Sequence, residues 1–122
     1  MEQSPPEQSP PEQSPPGQSP PEQSPPEPPV RLTATVQGFV QGVGFRWSTM
    51  SLAQTLKLVG VAENLPNGDV RVVVEGPPVE CQKVLDWLHG SGPRIVRRPG
   101  RVEFVDARWG PAEGGFRRFT AQ

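Results

Sequence analysis

The first 29 residues repeat a five-residue unit, Glu-Gln-Ser-Pro-Pro, with Gly17 in place of one glutamate and a shortened copy at residues 27–29. Apart from Met1 this stretch holds no apolar side chain that could be buried, so it cannot contribute to a packed core. We therefore predict a disordered, proline-rich tail over residues 1–29 and one folded domain over residues 30–122. Such a domain has about 90 residues, which is within the usual range for a single folded unit.

The tail has a period that argues against recognition as a polyproline helix. Grooves that bind such helices read one face that recurs every three residues, and a five-residue period does not keep one face. The PxxP spacing occurs only within residues 25–29. We interpret the tail as a solvated spacer, with a docking segment as the alternative.

Charge and cysteine content limit the classes of site. The chain has 12 basic and 13 acidic residues; five of the acids lie in the tail, which leaves eight acids and a net charge of about +4 in the domain. A mildly basic domain suits an anionic small molecule and is also compatible with weak nucleic-acid binding. Cys81 is the only cysteine and His89 the only histidine, so neither a disulfide nor a metal site is expected.

The chain also lacks the patterns that direct proteins into or across membranes. It has no run of about 20 apolar residues, and its first residues lack the basic and apolar regions of a signal peptide. We therefore expect a cytoplasmic protein that does not contact a membrane.

The first half of the domain predicts a strand, a loop and a helix. Apolar and polar residues alternate over residues 31–37, which is typical of a half-buried strand. After a glycine-rich loop, apolar residues at helical spacing predict an amphipathic helix over residues 47–58, ended by Gly60. A short apolar run then leads to Asn67-Gly68, a dipeptide typical of hairpin turns.

The second half repeats the alternation of strand and helix. Residues 70–74 alternate as a returning strand, and Pro77-Pro78 begin a helix that ends at Gly90 and places Cys81 on its buried stripe. Strands are predicted over residues 102–109 and 116–120. The order β-α-β-β-α-β with one short extra strand predicts an α+β, ferredoxin-like split βαβ sandwich, an antiparallel sheet with two helices on one face.

The loop over residues 38–46 holds the residues best suited to chemistry. Gly38, Gly42 and Gly44 can adopt positive φ and bring main-chain amides into a concave row of N–H donors. The helix N-terminus adds partial positive charge, and Arg46 adds a planar, permanently charged fork. These features predict a pocket for one tetrahedral dianion, although such glycines also serve as plain turn formers. Their spacing fits neither dinucleotide-binding nor P-loop motifs.

Two segments of the chain resemble the paired motifs of the acylphosphatase family. Residues 40–46 resemble its V-Q-G-V-x-F-R loop, and residues 60–64 resemble its later G-x-x-x-N at the end of the second strand. The resemblance extends from about residue 32 to the C-terminus. It implies that Arg46 binds phosphate and Asn64 orients a water molecule. It also implies that loop amides hold the phosphate oxygens; these loop residues are Phe39, Val40, Gln41, Gly42, Val43, Gly44 and Phe45.

The reaction implied by this resemblance is hydrolysis of an acyl phosphate to a carboxylate and inorganic phosphate. Water attacks directly, and neither a metal, a cofactor nor a covalent intermediate is needed. Three residues depart from the family pattern: Lys57 stands where glycine is frequent, Glu63 precedes Asn64, and Leu65 replaces a threonine that supports the asparagine in some members.

Two alternatives to an active enzyme belong to the binding class. One is a catalytically silent module that binds phosphate or a phosphorylated protein through the same loop. The other is single-stranded nucleic-acid binding, since RNA-recognition domains share the element order. The strand over residues 70–74 lacks the aromatic residues that such binding needs. We therefore expect a monomer that acts on a small-molecule acyl phosphate and binds no nucleic acid.

Overall fold

The computed structural model describes residues 27–122, so residues 1–26 of the predicted tail lie outside the described residues. The described chain forms, in order, β1 (Val30–Phe39), α1 (Phe45–Thr55), β2 (Val59–Asn64), β3 (Val70–Gly76), α2 (Pro78–Leu88), β4 (Arg101–Pro111) and β5 (Phe119–Ala121). This order confirms the predicted ferredoxin-like arrangement with a short extra strand.

The strands form one five-stranded sheet in the order β4-β1-β3-β2-β5. The four longer strands pair antiparallel with one another, as predicted. β5 instead pairs in parallel with β2, so the sheet is mixed at that edge. The chain leaves β4 at one edge, crosses the sheet with residues 112–118 and enters β5 at the other edge, and this crossing gives β5 the direction of β2.

Both helices cover one face of the sheet and bury its apolar residues. Leu32, Ala34 and Val36 of β1 lie opposite Val74, Val72 and Val70 of β3 and are fully buried with them. Cys81 lies in this core, as the helical pattern predicts. Burial, with the nearby charges of Glu75 and Glu80, raises the pKa of the Cys81 thiol to about 11. Within residues 27–122, no helix has the length and apolarity to cross a membrane.

α1 ends earlier than the sequence predicts. Its last residue is Thr55, and the chain then turns through Lys57, which has a φ of 61°. The amide of Leu58 donates to the carbonyl of Ala53, and that of Lys57 donates to Gln54, which forms a Schellman motif. The predicted stop at Gly60 was therefore wrong, because a lysine in the left-handed conformation already ends the helix.

Four strand ends meet at one end of the sheet, which we call the site end. Phe39, the last residue of β1, lies opposite Arg101, the first of β4. Asn64, the last residue of β2, lies opposite Val70, the first of β3. The loop over residues 40–44, the hairpin over residues 65–69 and the segment over residues 89–100 therefore all emerge at this end.

Candidate active site

The N-terminus of α1 presents main-chain donors without a side-chain cap. Gly44 is its N-cap with a φ of 85°, no side chain caps it, and no acidic residue lies in the first turn. The first amides of a helix have no acceptor within the helix, so they and the helix dipole favour an anion. A Cβ atom added at Gly44 would meet no atom within 4 Å, so backbone conformation rather than crowding requires glycine there.

Arg46 extends from the first turn of α1 toward the end of β2. Its Nη1 atom donates a hydrogen bond of 2.5 Å to the main-chain oxygen of Gln122. The amide of Gln122 in turn donates to the carbonyl of Ala62, 2.8 Å away, which continues the parallel pairing of β5 with β2. Gln122 thus links Arg46 to the strand that ends at Asn64, and among the described residues it is the one hydrogen-bond acceptor of the Arg46 side chain, which has five N–H donors.

Asn64 is the exposed last residue of β2. Because it lies opposite Val70, whose side chain is in the core, Asn64 shares the face of the sheet that the helices cover. The preceding residue, Glu63, lies on the other face, where its carboxylate contacts Arg71 Nη2 at 2.7 Å. The negative charge of Glu63 is therefore directed away from Asn64.

Gln41 connects the glycine-rich loop to the hairpin that follows Asn64. Its side-chain nitrogen donates to the carbonyl oxygens of Leu65 and Asp69, each at 2.8 Å. The sequence predicts a role only for the main-chain amide of Gln41, and this side-chain contact was not predicted. The one signal available was a polar side chain within a loop of glycine and apolar residues, and that signal does not identify a partner.

The other loop residues anchor the loop on the core. Val40 and Phe45 are buried, and Val43 is half-buried against the same cluster. The Phe45 ring lies 5.8 Å from the Trp87 ring between centroids. Phe39, at the end of β1, is 66% exposed. Packing on both sides of Gly42 and Gly44 thus holds the loop in one position.

The composition of the site favours binding of an anion. The loop, the helix N-terminus and Arg46 contribute N–H donors, whereas Glu63 faces away. In the described residues, no group of three or more His, Cys, Asp or Glu side chains is placed to hold a metal ion. The arrangement can hold a tetrahedral oxyanion and place an amide, which both donates and accepts hydrogen bonds, beside it.

Comparisons with known proteins identify a family for this chain. The family model described as acylphosphatase matches residues 32–121. An acylphosphatase from Corynebacterium glutamicum (strain R) is 56% identical over 81 residues, which cover 66% of this chain and 85% of the relative. One from Acidothermus cellulolyticus is 53% identical over 91 residues, covering 75% of this chain and 85% of the relative. The crystal structure of acylphosphatase from Bacillus subtilis has a TM-score of 0.65 and 27% identity, covering 76% of this chain and 98% of that chain.

Proposed function

The chain belongs to the acylphosphatase family, and on that premise we propose that Arg46, Asn64 and the loop over residues 39–45 carry out its reaction. The activity is acylphosphatase activity, the hydrolysis of the carboxyl–phosphate bond of small acyl phosphates. The observation that supports the assignment of residues is the uncapped start of α1 with Arg46 in its first turn, hydrogen-bonded to Gln122, which pairs with β2.

The phosphoryl group binds first, in this proposal, at the start of α1. The loop amides and the first amides of the helix donate to its oxygens, and the free guanidinium donors of Arg46 complete the contact. A positive side chain at a helix N-terminus opposes the helix dipole. A bound dianion removes that conflict, so the ligand also stabilises the start of the helix.

Asn64 then orients the attacking water. Its side-chain oxygen accepts a hydrogen bond from the water and its nitrogen donates a hydrogen bond to a phosphate oxygen, which places the water in line with the bond to be broken. The water oxygen bonds to phosphorus as the bond from phosphorus to the acyl oxygen breaks. The carboxylate leaves with the electron pair, and the water proton passes to a phosphate oxygen, so no protein base is required.

In the transition state, charge on the equatorial oxygens of the phosphoryl group is stabilised by Arg46 and by the loop amides, which are already in position. Arg46 is fixed by its bond to Gln122, and the loop is fixed by Gln41 and by the burial of Val40 and Phe45. Donors that need not reorganise during the reaction are the largest source of rate enhancement in many hydrolases. A carboxylate is a good leaving group, so orientation and charge stabilisation are adequate for this reaction.

The test is metal-free hydrolysis of benzoyl phosphate, followed by ultraviolet absorbance in the presence of a chelator. We expect Arg46→Ala to lose both turnover and the binding of inorganic phosphate, the latter measured by calorimetry. Asn64→Ala should keep that binding while kcat falls by on the order of 10²-fold. Arg117→Ala removes the same side chain as Arg46→Ala from an exposed position elsewhere and should retain wild-type kinetics.

Each result has a distinct meaning for the assignment. Wild-type turnover in Asn64→Ala would contradict the role of that residue in orienting water. A folded wild-type protein that binds phosphate without hydrolysing benzoyl phosphate would indicate the silent binding module instead.

We further propose a monomer that works in the cytoplasm without membrane or nucleic-acid partners, with residues 1–29 as a spacer ahead of the domain. Cys81 is the only cysteine, so the chain lacks the intrachain disulfides that are typical of oxidising compartments. Sedimentation of the full chain at several concentrations would test the monomeric state.

A further inference from the structure

A groove on the site end is lined by arginines that the proposed mechanism does not use. It lies between the C-terminal end of α2 and the segment that leads to β4, and its volume is about 370 Å³. Three of its lining residues are arginines within five positions of the chain, and its walls are otherwise apolar or glycine. The residues that matter here are Trp87, Gly90, Pro93, Arg94, Arg97 and Arg98.

Arg98 is the unusual member of this groove. Its Nη1 atom is buried and has no hydrogen-bond partner in the part of the chain that the structure describes. A buried charged donor without a partner is destabilising, and native proteins usually supply an acceptor, a water molecule or an ion. A Cβ atom added at Gly90 would come within 3.2 Å of Arg98 Nη2, so glycine at this position leaves room for the guanidinium group.

Within residues 27–122, no salt bridge pairs an arginine of the groove with an acid. The salt bridges among residues 27–122 involve Arg31, Arg71, Lys83 and Arg108, and none includes Arg94, Arg97 or Arg98. Three guanidinium groups therefore concentrate positive charge along one groove, and their planar forks match the geometry of carboxylate and phosphate groups.

We propose that this arginine groove is a second anion site, which binds a small organic molecule through a phosphate or carboxylate group. The guanidinium group of Arg98 donates to the anionic group from the lining of the groove, and Arg94 and Arg97 contact the same group from the exposed rim. The apolar surfaces of Pro93 and Val96 contact the body of the molecule. A groove of this volume, with apolar walls and a few polar groups, is typical of small-molecule sites.

The arginine groove and the proposed phosphate site are neighbours but separate. Trp87 lies in the groove on one side and packs against Phe45, which precedes Arg46, on the other. The groove does not include the loop over residues 39–45, Arg46 or Asn64. Binding in the groove must therefore be measured with the phosphate site disabled, and the Arg46→Ala variant provides that background.

The indole of Trp87 is a suitable reporter, because its Nε1 atom donates a 2.7 Å hydrogen bond to the Val96 carbonyl in the wall of the groove. The full chain with Arg46→Ala is labelled with ¹⁵N, and its Trp87 indole resonance is assigned with Trp87→Phe. Phenyl phosphate and benzoate, which share a ring and differ in the anionic group, are titrated separately. We expect a saturable shift, and the probe that saturates at the lower concentration identifies the anionic group.

Three variants in the Arg46→Ala background test the arginines. Arg98→Gln should weaken binding of the tighter probe about tenfold, the loss expected for one charged hydrogen bond. The double variant Arg94→Gln with Arg97→Gln changes only exposed side chains, so it tests the groove even if Arg98→Gln does not fold. Arg101→Gln removes the same charge from a nearby exposed residue outside the groove and should leave the affinity within about twofold.

The proposal is overturned if neither probe gives a saturable shift. It is also overturned if Arg101→Gln weakens binding as much as the groove variants, which would indicate diffuse charge attraction. The Arg46→Ala background rests on the proposed role of Arg46 in phosphate binding, and the variants of Arg94, Arg97 and Arg98 distinguish binding in the groove from binding that remains at the phosphate site.

Discussion

Gln41 and Leu65 are joined by a 2.8 Å hydrogen bond from the side-chain amide of one to the main-chain carbonyl of the other. Leu65 directly follows Asn64, so the loop that is proposed to bind phosphate also fixes the strand end that carries the proposed water-orienting residue. The Leu65 carbonyl already accepts a bond from the amide of Gly68. The main effect of the hydrogen bond from Gln41 is therefore to position the hairpin, because the Leu65 carbonyl already has a partner.

Replacing Gln41 with alanine should loosen the placement of Asn64 relative to the phosphate. We expect kcat for benzoyl phosphate to fall about tenfold, because small displacements of an orienting group are costly. The unfolding free energy should fall by only about 1 kcal/mol, since both carbonyls keep main-chain partners. Steady-state kinetics and urea unfolding measure the two quantities.

Gln82→Ala is the matched control for this change. Gln82 is exposed on α2 and its side chain contacts Asp86 on the same helix, so the variant should keep wild-type kcat. A Gln41→Ala protein with wild-type kcat would show that the hairpin holds Asn64 without help from the loop.

The candidate site could be predicted from the sequence only where its residues are close in the chain. The loop and Arg46 form one continuous segment, so glycine content, a helix start and a charge point to anion binding. The hydrogen bond from Gln41 to Leu65 joins residues 24 positions apart, and that from Arg46 to Gln122 joins residues 76 positions apart. No local sequence pattern predicts such pairs. Asn64 itself was identified through the resemblance to a family rather than from its own surroundings.

Glu75 predicts a specific dependence of stability on pH. Its carboxylate, 5% exposed, accepts hydrogen bonds from Arg31 Nε at 2.6 Å and from the amides of Glu113 and Gly114. Burial raises the pKa of Glu75, but the hydrogen bonds and the Arg31 charge lower it by more, so the pKa lies below its ordinary 4.5. Because the pKa is lowered in the folded state, the ionised carboxylate of Glu75 stabilises the fold above about pH 4.5. This contribution is lost as the pH falls through the folded pKa.

Glu75→Gln should therefore destabilise the protein at pH 7 by about 1–3 kcal/mol, because the charge-assisted bonds are lost. The difference between wild type and variant should shrink steadily once the pH is below 4.5. Urea unfolding over a series of pH values gives both results.

Glu113→Gln is the control for charge alone, since Glu113 is 69% exposed and contacts Arg31 at 3.5 Å. It should change stability by less than about 0.5 kcal/mol at every pH. A difference between wild type and Glu75→Gln that is independent of pH would mean that packing, not the charge, is what Glu75 contributes.

Gly44 offers a test of the backbone at the start of α1. An alanine there must adopt a φ of 85°, which costs about 1–2 kcal/mol for an L-residue, although its Cβ has space. We expect Gly44→Ala to fold with that loss of stability and to bind inorganic phosphate more weakly, because the amides of the first turn shift. Thermal unfolding and phosphate inhibition of benzoyl phosphate hydrolysis measure the two effects.

Gly110→Ala separates conformation from the mere addition of a methyl group. Gly110 lies in β4, has ordinary backbone angles for an L-residue and also has open space around it. It should change neither stability nor inhibition by phosphate. If the two substitutions had equal effects, the added methyl group rather than the positive φ of Gly44 would explain the loss.

The fold was more predictable than the site because it depends on repeating patterns. Alternation over residues 31–37 and 70–74 and the helical stripe with Cys81 identify the core face of three elements. The parallel pairing of β5 depends on a crossing of the sheet by residues 112–118, where Glu75 holds the amides of Glu113 and Gly114. That contact joins residues far apart in the chain, so no periodic pattern in the sequence predicts it.

The end of α1 provides the last prediction, because Lys57 occupies a position that favours glycine. With a φ of 61° it is the left-handed residue of the Schellman motif, and its side chain is exposed. Left-handed geometry costs an L-residue about 1–2 kcal/mol, while glycine loses about 0.5–1 kcal/mol more backbone entropy on folding. Lys57→Gly should therefore stabilise the protein by about 0.5–1 kcal/mol.

Lys57→Ala distinguishes this mechanism from removal of a charge. It deletes the lysine head group but keeps the Cβ atom that strains the left-handed conformation, so it should not increase stability. Urea unfolding compares the three proteins, and kcat for benzoyl phosphate should be the same in all of them because Lys57 lies after α1, at the opposite end of the helix from Arg46. Equal stabilisation by glycine and alanine would identify charge, rather than backbone geometry, as the cost of Lys57.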